Sequence, residues 1–174
     1  MIFTGFKRKS NQIFFNKNLP ELLKKSEAIS SKEIKIILVF LDEVSKKDQI
    51  QKGLMALFNI AESAMKFVVF QQKVAKEQIS EDIITPKDFG WYGKMNSEKL
   101  KTILTKKYDL LINYSKVDNL YMNLLLLQCK VGFKAGFTHL DNRFYDLVIN
   151  CETDDLELFN TELKKYLTIL NKIQ

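Results

Sequence analysis

The chain has 174 residues, 46% of them hydrophobic and 28% charged, with a formal net charge of +6. That length suits one domain able to bury about two-thirds of its unfolded surface, and the composition excludes wholesale disorder. No apolar run reaches the roughly 18 residues of a membrane-spanning helix, and with only two Pro and six Gly the chain reads as long regular elements with few forced breaks.

The charge is concentrated at one end. Eight basic and three acidic residues lie between Met1 and Lys35, which is +5 of the chain's +6. Within residues 1–33, Lys7, Arg8, Lys9, Lys17, Lys24 and Lys25 alternate with Phe3, Phe6, Ile13, Phe14, Phe15, Leu19, Leu22 and Leu23. Asn18 to Ser26 is expected to form a short helix with Pro20 in its first turn. The opening residues lack the apolar stretch and small-residue cleavage site of a secretory signal. Positive charge mixed with aromatic rings suits an anionic partner, either RNA, whose phosphates meet Lys and Arg while bases stack, or a membrane interface. The alternative is that the Phe side chains pin the arm to the domain and the lysines are simply solvated.

After a polar linker at Ser30 to Glu33, Ile34 to Leu41 is a nearly continuous apolar run, as expected of a strand buried on both faces. It ends at Asp42-Glu43. Ser45 and Asp48 are candidate caps for a helix reaching Met65, and Lys66 to Gln71 forms the second strand of a right-handed βαβ unit. From Gln72 to Pro86 the pattern weakens, with a short helix or turn over Lys73 to Ile79. Thr85 to Lys94 then carries two glycines around Trp91 and Tyr92, rings that either cover a strand end or offer a stacking platform. Asp88-Phe89-Gly90 spells a kinase metal-binding triplet, but no Gly-rich loop, strand lysine or catalytic-loop Asp and Asn accompany it.

Further elements follow in order. They are a helix from Glu98 to Lys107, a strand from Asp109 to Tyr114, an apolar helix capped by Asp118 or Asn119 and ending near Cys129, and strands at Lys130 to Phe137 and Tyr145 to Asn150. The last helix starts at Thr153 or Asp154, with Asp154 and Glu157 spaced as a capping box. Its expected docking stripe is Leu156, Phe159, Leu163, Tyr166, Leu170 and Ile173. Two phrases, Tyr108-Asp-Leu-Leu-Ile-Asn113 and Tyr145-Asp-Leu-Val-Ile-Asn150, bracket a helix and a glycine-containing strand. The expected fold is therefore α/β, a three-layer Rossmann-like sandwich with a mostly parallel sheet of five or six strands and helices on both faces. Residues 34–174 form that domain and 1–33 its basic arm.

In such a sheet ligands bind outside the carboxyl ends of the strands, which makes Asp42, Asn113, Ser115, Trp91 and Tyr92 the candidate rim. No GxGxxG or GxxxxGK[ST] loop is present to bring a phosphate to the backbone. His139 is the only histidine and no Cys/His cluster exists, so neither a metal nor a cofactor is expected. Ser115, His139 and Asp118 lack the elbow that exposes a serine nucleophile, and no catalytic residue is assigned. Cys129 and Cys151 read as free thiols in a reducing cytoplasm.

Asp88-Phe-Gly-Trp-Tyr-Gly-Lys94, Asp109-Leu-Leu-Ile-Asn-Tyr114, Phe133-Lys-Ala-Gly136, Asp146-Leu-Val-Ile149 and the ending Leu163 to Ile173 resemble a small uncharacterised bacterial family, over nearly the full length. A looser similarity joins the Tyr-Asp-Leu strand, apolar helix and Val-Gly-Phe strand to the first domain of heptosyltransferase-like glycosyltransferases. It implies the fold, since those enzymes bind a sugar nucleotide with a second Rossmann-like domain. The expected function is a non-catalytic module that docks on a larger assembly through its basic arm. The assembly is ribosomal or other RNA, an anionic face of the inner membrane, or a protein complex. The alternative is a small Rossmann-like enzyme or ligand-binding domain using the Asp42, Asn113, Ser115 and Trp91 rim.

Overall fold

The computed structural model describes residues 2–26, 33–74 and 80–173. Most of the expected linker at 30–33 and of the expected helix or turn at 73–79 lies outside them. The strands are β1 (Ile37–Leu41), β2 (Met65–Phe70), β3 (Ile83–Ile84), β4 (Lys107–Tyr108), β5 (Leu110–Asn113), β6 (Lys130–Val131), β7 (Lys134–Phe137) and β8 (Leu147–Ile149). Six of them form one sheet in the order β3-β2-β1-β5-β7-β8, parallel throughout. Numbered among themselves these strands run 3-2-1-4-5-6, the doubly wound order, and it reverses between β1 and β5. The expected Rossmann-like sandwich is what the chain forms.

Every residue of β1 is buried, which is why the run Ile37-Leu-Val-Phe-Leu41 has no polar alternation. Its side chains divide two cores. Ile37, Val39 and Leu41 face α2 (Lys47–Phe58) and α5 (Leu156–Ile169), through Ile50, Leu54, Phe159 and Leu163. Leu38 and Phe40 point the other way, with α3 (Glu98–Thr105) and α4 (Leu120–Gln128), onto Leu100, Tyr121 and Leu125. Helices therefore cover both faces.

Several local expectations change. The amino-terminal helix α1 runs from Ile2 to Ser26 and is not confined to Asn18 onward. Pro20 sits inside it on the exposed side, and burial of Phe15 before it and Leu22 after it holds both halves on α4. α2 stops at Phe58 because Asn59 turns left-handed at φ 52, a common helix stop. The cap of α5 is Asp155, whose carboxylate accepts Leu158 N at 3.0 Å. Asp154 is drawn instead to Lys46 and Lys116. The buried stripe of α5 is Leu156, Phe159, Leu163 and Leu167, leaving Tyr166 and Leu170 exposed. Of the two candidate caps for α4, Asn119 does the capping, accepting Tyr121 N at 2.9 Å.

Candidate functional site

Two places collect the sequence-predicted residues, and they are separate. The first is the switch point between β1 and β5. Just past β1, Asp42 Oδ2 accepts Lys116 N at 2.7 Å and Val117 N at 3.2 Å, so one carboxylate ties the two strand ends together across the position where a doubly wound sheet opens a crevice. Burial raises the pKa of Asp42, the two amides oppose the rise, and neighbouring Glu43 adds to it. Around it Lys116 meets Glu43 at 3.3 Å and Asp154 at 2.9 Å. These charges are spent on one another, and the two lysines holding Asp154 lower its pKa to about 2.

Deeper in the same rim, Asn113 is buried. Its Oδ1 accepts Ser115 N at 3.0 Å and its Nδ2 donates to Tyr145 Oη at 2.8 Å. Gly136 lets the Tyr145 ring lie there, since a Cβ at that position would fall 2.8 Å from the ring. Ser115 is buried, its carbonyl lies 3.1 Å from His139 Nε2, and its Oγ has no hydrogen-bond partner among the described residues. Asp42, Asn113 and Ser115 thus share one rim as expected, but the Asp42 and Asn113 side chains are engaged in holding backbone, and Ser115 Oγ is buried beside them. Asp118 accepts Asn123 Nδ2 at 2.9 Å and Asp141 pairs with Arg143. Among the described residues no three His, Cys, Asp or Glu side chains gather as metal ligands would.

Trp91 and Tyr92 are not on that rim. They form the tip of a hairpin in which Phe89 bridges Met95, Gly90 N donates to Lys94 O at 2.8 Å, and Lys94 N donates to Trp91 O at 3.2 Å. Tyr92 at φ 54 and Gly93 at φ 72 are both left-handed, as a primed two-residue turn requires. The usual first residue there is Asn or Gly. A Tyr costs on the order of 1–2 kcal/mol, and strain of this kind persists only where the surroundings impose it.

Here α1 imposes it. Ser10 Oγ accepts Tyr92 N at 3.2 Å and Asn11 Oδ1 accepts Gly93 N at 2.7 Å, while Asn11 Nδ2 donates to Gly90 O at 2.9 Å. Phe14 packs so closely on Gly93 that a Cβ would sit 2.2 Å from its ring. Lys7 Nζ donates to Pro86 O at 2.7 Å and to Phe89 O at 2.8 Å, and burial lowers its pKa despite Asp88 nearby. Gln128 Nε2, at the end of α4, donates to Gly93 O at 3.3 Å. Ser10 and Asn11 were not legible as anchors, because a polar pair inside a basic segment reads as solvated surface.

Of the cations expected to meet an anionic partner, Lys7 is therefore an internal anchor. Lys25 pairs with Glu21 at 2.7 Å. Arg8, Lys9, Lys17 and Lys24 are exposed. Three of these fall in a single line along the outer face of α1, in the order Phe6, Lys9, Ile13, Lys17, Pro20, Lys24, at steps of three and four with every member exposed. The opposite face carries Phe15 and Leu22 into the core. Among the described residues no helix is long and apolar enough to cross a membrane.

A family model described as a family of unknown function (DUF6913) matches residues 7–170. No curated protein and no solved structure matches the chain.

Proposed function

We propose, from the premise that the chain belongs to this family of unknown function (DUF6913), that the protein is a non-catalytic docking module whose α1 meets an anionic partner. The observation that carries this is the outer line of α1. Three lysines with no acidic residue among them alternate with exposed Phe6 and Ile13, while the inner face of the same helix is anchored to the domain. A solvated helix gains nothing from exposed Phe and Ile, whereas a docking face uses both charge and apolar contact. The basic arm is then a surface held in a fixed orientation by the fold. A cytoplasmic place, free or peripheral to a membrane or complex, goes with this reading.

The test keeps α1 in place. Lys9→Gln/Lys17→Gln/Lys24→Gln is compared on a heparin matrix with Lys52→Gln/Lys106→Gln/Lys164→Gln, which removes equal charge from exposed sites elsewhere. The α1 triple should elute at clearly lower salt than the control triple, as expected when clustered cations release counterions together. Equal elution of the two triples would sink the proposal.

A second reading, a small Rossmann-like enzyme or ligand-binding domain related to the first domain of sugar-nucleotide glycosyltransferases, draws support from the strand order alone. Against it stands Asp42, which ties Lys116 N and Val117 N across the crevice such a ligand would enter.

A further inference from the structure

Resting on the docking reading, we infer that the partner is an anionic lipid surface, and that the Trp91–Tyr92 turn and the outer face of α1 enter its interface together. Four large apolar side chains are exposed in this region: Phe6 at 59%, Ile13 at 56%, Trp91 at 44% and Tyr92 at 63%. They belong to one patch. Ser10 holds the Tyr92 amide, and Phe6 and Ile13 stand four residues before it and three after it, which on a helix makes them its neighbours. Lys17 continues the same row, and exposed Lys9 and Lys94 flank it.

The backbone spends strain to display these rings. Tyr92 is left-handed where Asn or Gly would be relaxed, and four α1 residues, Lys7, Ser10, Asn11 and Phe14, clamp the turn in that state. An observed outlier at an exposed tip points to a function for the residue.

The composition of the patch selects the partner. Trp and Tyr are the side chains that settle at the headgroup boundary, Phe and Ile reach the acyl region, and lysines meet anionic headgroups with their stems along the surface. RNA would use the rings for stacking, but an exposed isoleucine has no π face to offer a base. The helix is about 37 Å long at 1.5 Å per residue and can lie flat on a bilayer with the hairpin beside it.

Trp91 is the only tryptophan, so it reports on its own insertion. The full chain is mixed with vesicles of phosphatidylcholine alone or with phosphatidylglycerol, and with poly(U). Co-sedimentation with the anionic vesicles, a blue shift of Trp91 emission there and quenching by brominated acyl chains are expected. Lys→Gln at 9, 17 and 24 should weaken partition about fivefold per lysine, and Ile13→Asp by about tenfold or more. All these sites are exposed, and circular dichroism checks that each variant folds.

Vesicle binding with unshifted, unquenched Trp91 overturns insertion and leaves docking by charge intact. Salt-sensitive binding to poly(U) without vesicle binding overturns the lipid assignment and likewise spares the docking reading. Binding to neither vesicles, poly(U) nor heparin removes both.

Discussion

Tyr92 and Gly93 are adjacent, both left-handed, and opposite in what substitution should do. Glycine is relaxed at φ 72, and Phe14 occupies the space a Cβ would need. Gly93→Ala should therefore cost roughly 2 kcal/mol or more, from backbone strain and overpacking together. At Tyr92 the strain is already present in the native chain. Tyr92→Asn suits the turn better, keeps the amide that Ser10 holds, and should gain up to about 1 kcal/mol. Denaturant midpoints of both variants measure the two signs. A Tyr92→Asn variant that is more stable than the native chain while partitioning less onto anionic vesicles is what a residue kept for display produces. A variant less stable than the native chain would mean that the ring is held for packing.

At the scale of elements, legibility followed how many faces an element buries. β1 and β5 are apolar at nearly every position because helices cover both sides, and α4 likewise buries seven of its nine residues. These were readable from unbroken runs. β3 was not, because two residues, Ile83-Ile84, show no period; its place as an edge strand depends on backbone pairing to β2 and on Asp82 meeting Lys47 and Lys66. α1 was half legible. Its inward face includes Ser10 and Asn11, which serve the hairpin backbone, so the apolar stripe breaks there, and Pro20 imitates a helix start.

The tie between β1 and the segment after β5 was also invisible in the sequence, where Asp42 read as a member of the candidate ligand rim. It makes a pH-dependent prediction. A carboxyl whose folded pKa is raised contributes stability that is fully present below its ordinary value, near 3.9, and lost as pH rises through the folded value. Asp42→Asn keeps an acceptor for Lys116 N and Val117 N without the half-buried charge. The stability of Asp42→Asn relative to the native chain should accordingly climb as pH rises through and above the ordinary carboxylate range and level off once the folded Asp42 is ionised. Asp42→Ala, which strands both amides, should be about 1–3 kcal/mol less stable than Asp42→Asn at every pH, since neither side chain titrates there. Urea titrations at stepped pH separate the two; a flat Asn-minus-Asp difference would show that burial does not govern this carboxyl.

For the whole molecule, α1 serves both fold and proposed docking, and this decides how the protein can be dissected. α4 is apolar around its whole circumference: its inner residues meet the sheet, and α1 covers it from outside with Phe15 and Leu22 in the shared core. A helix with apolar residues on every side is stable only while it is covered. The hairpin depends on the same cover, since Lys7, Ser10 and Asn11 supply most of its outside hydrogen bonds, with Gln128 of α4 adding one. Removing residues 1–26 should therefore uncover α4 and release the Trp91 turn in one step. The expected signs are a lower denaturation midpoint, binding of a hydrophobic dye under native conditions, and a Trp91 emission maximum moved to the red. If the shortened chain bound no dye and kept an unchanged midpoint, α1 would be an appendage and the clamp on Tyr92 would need another source. If it behaved as expected, loss of partner binding on deletion would say nothing about docking, and only substitutions on the outer line, from Phe6 to Lys24, could separate recognition from folding.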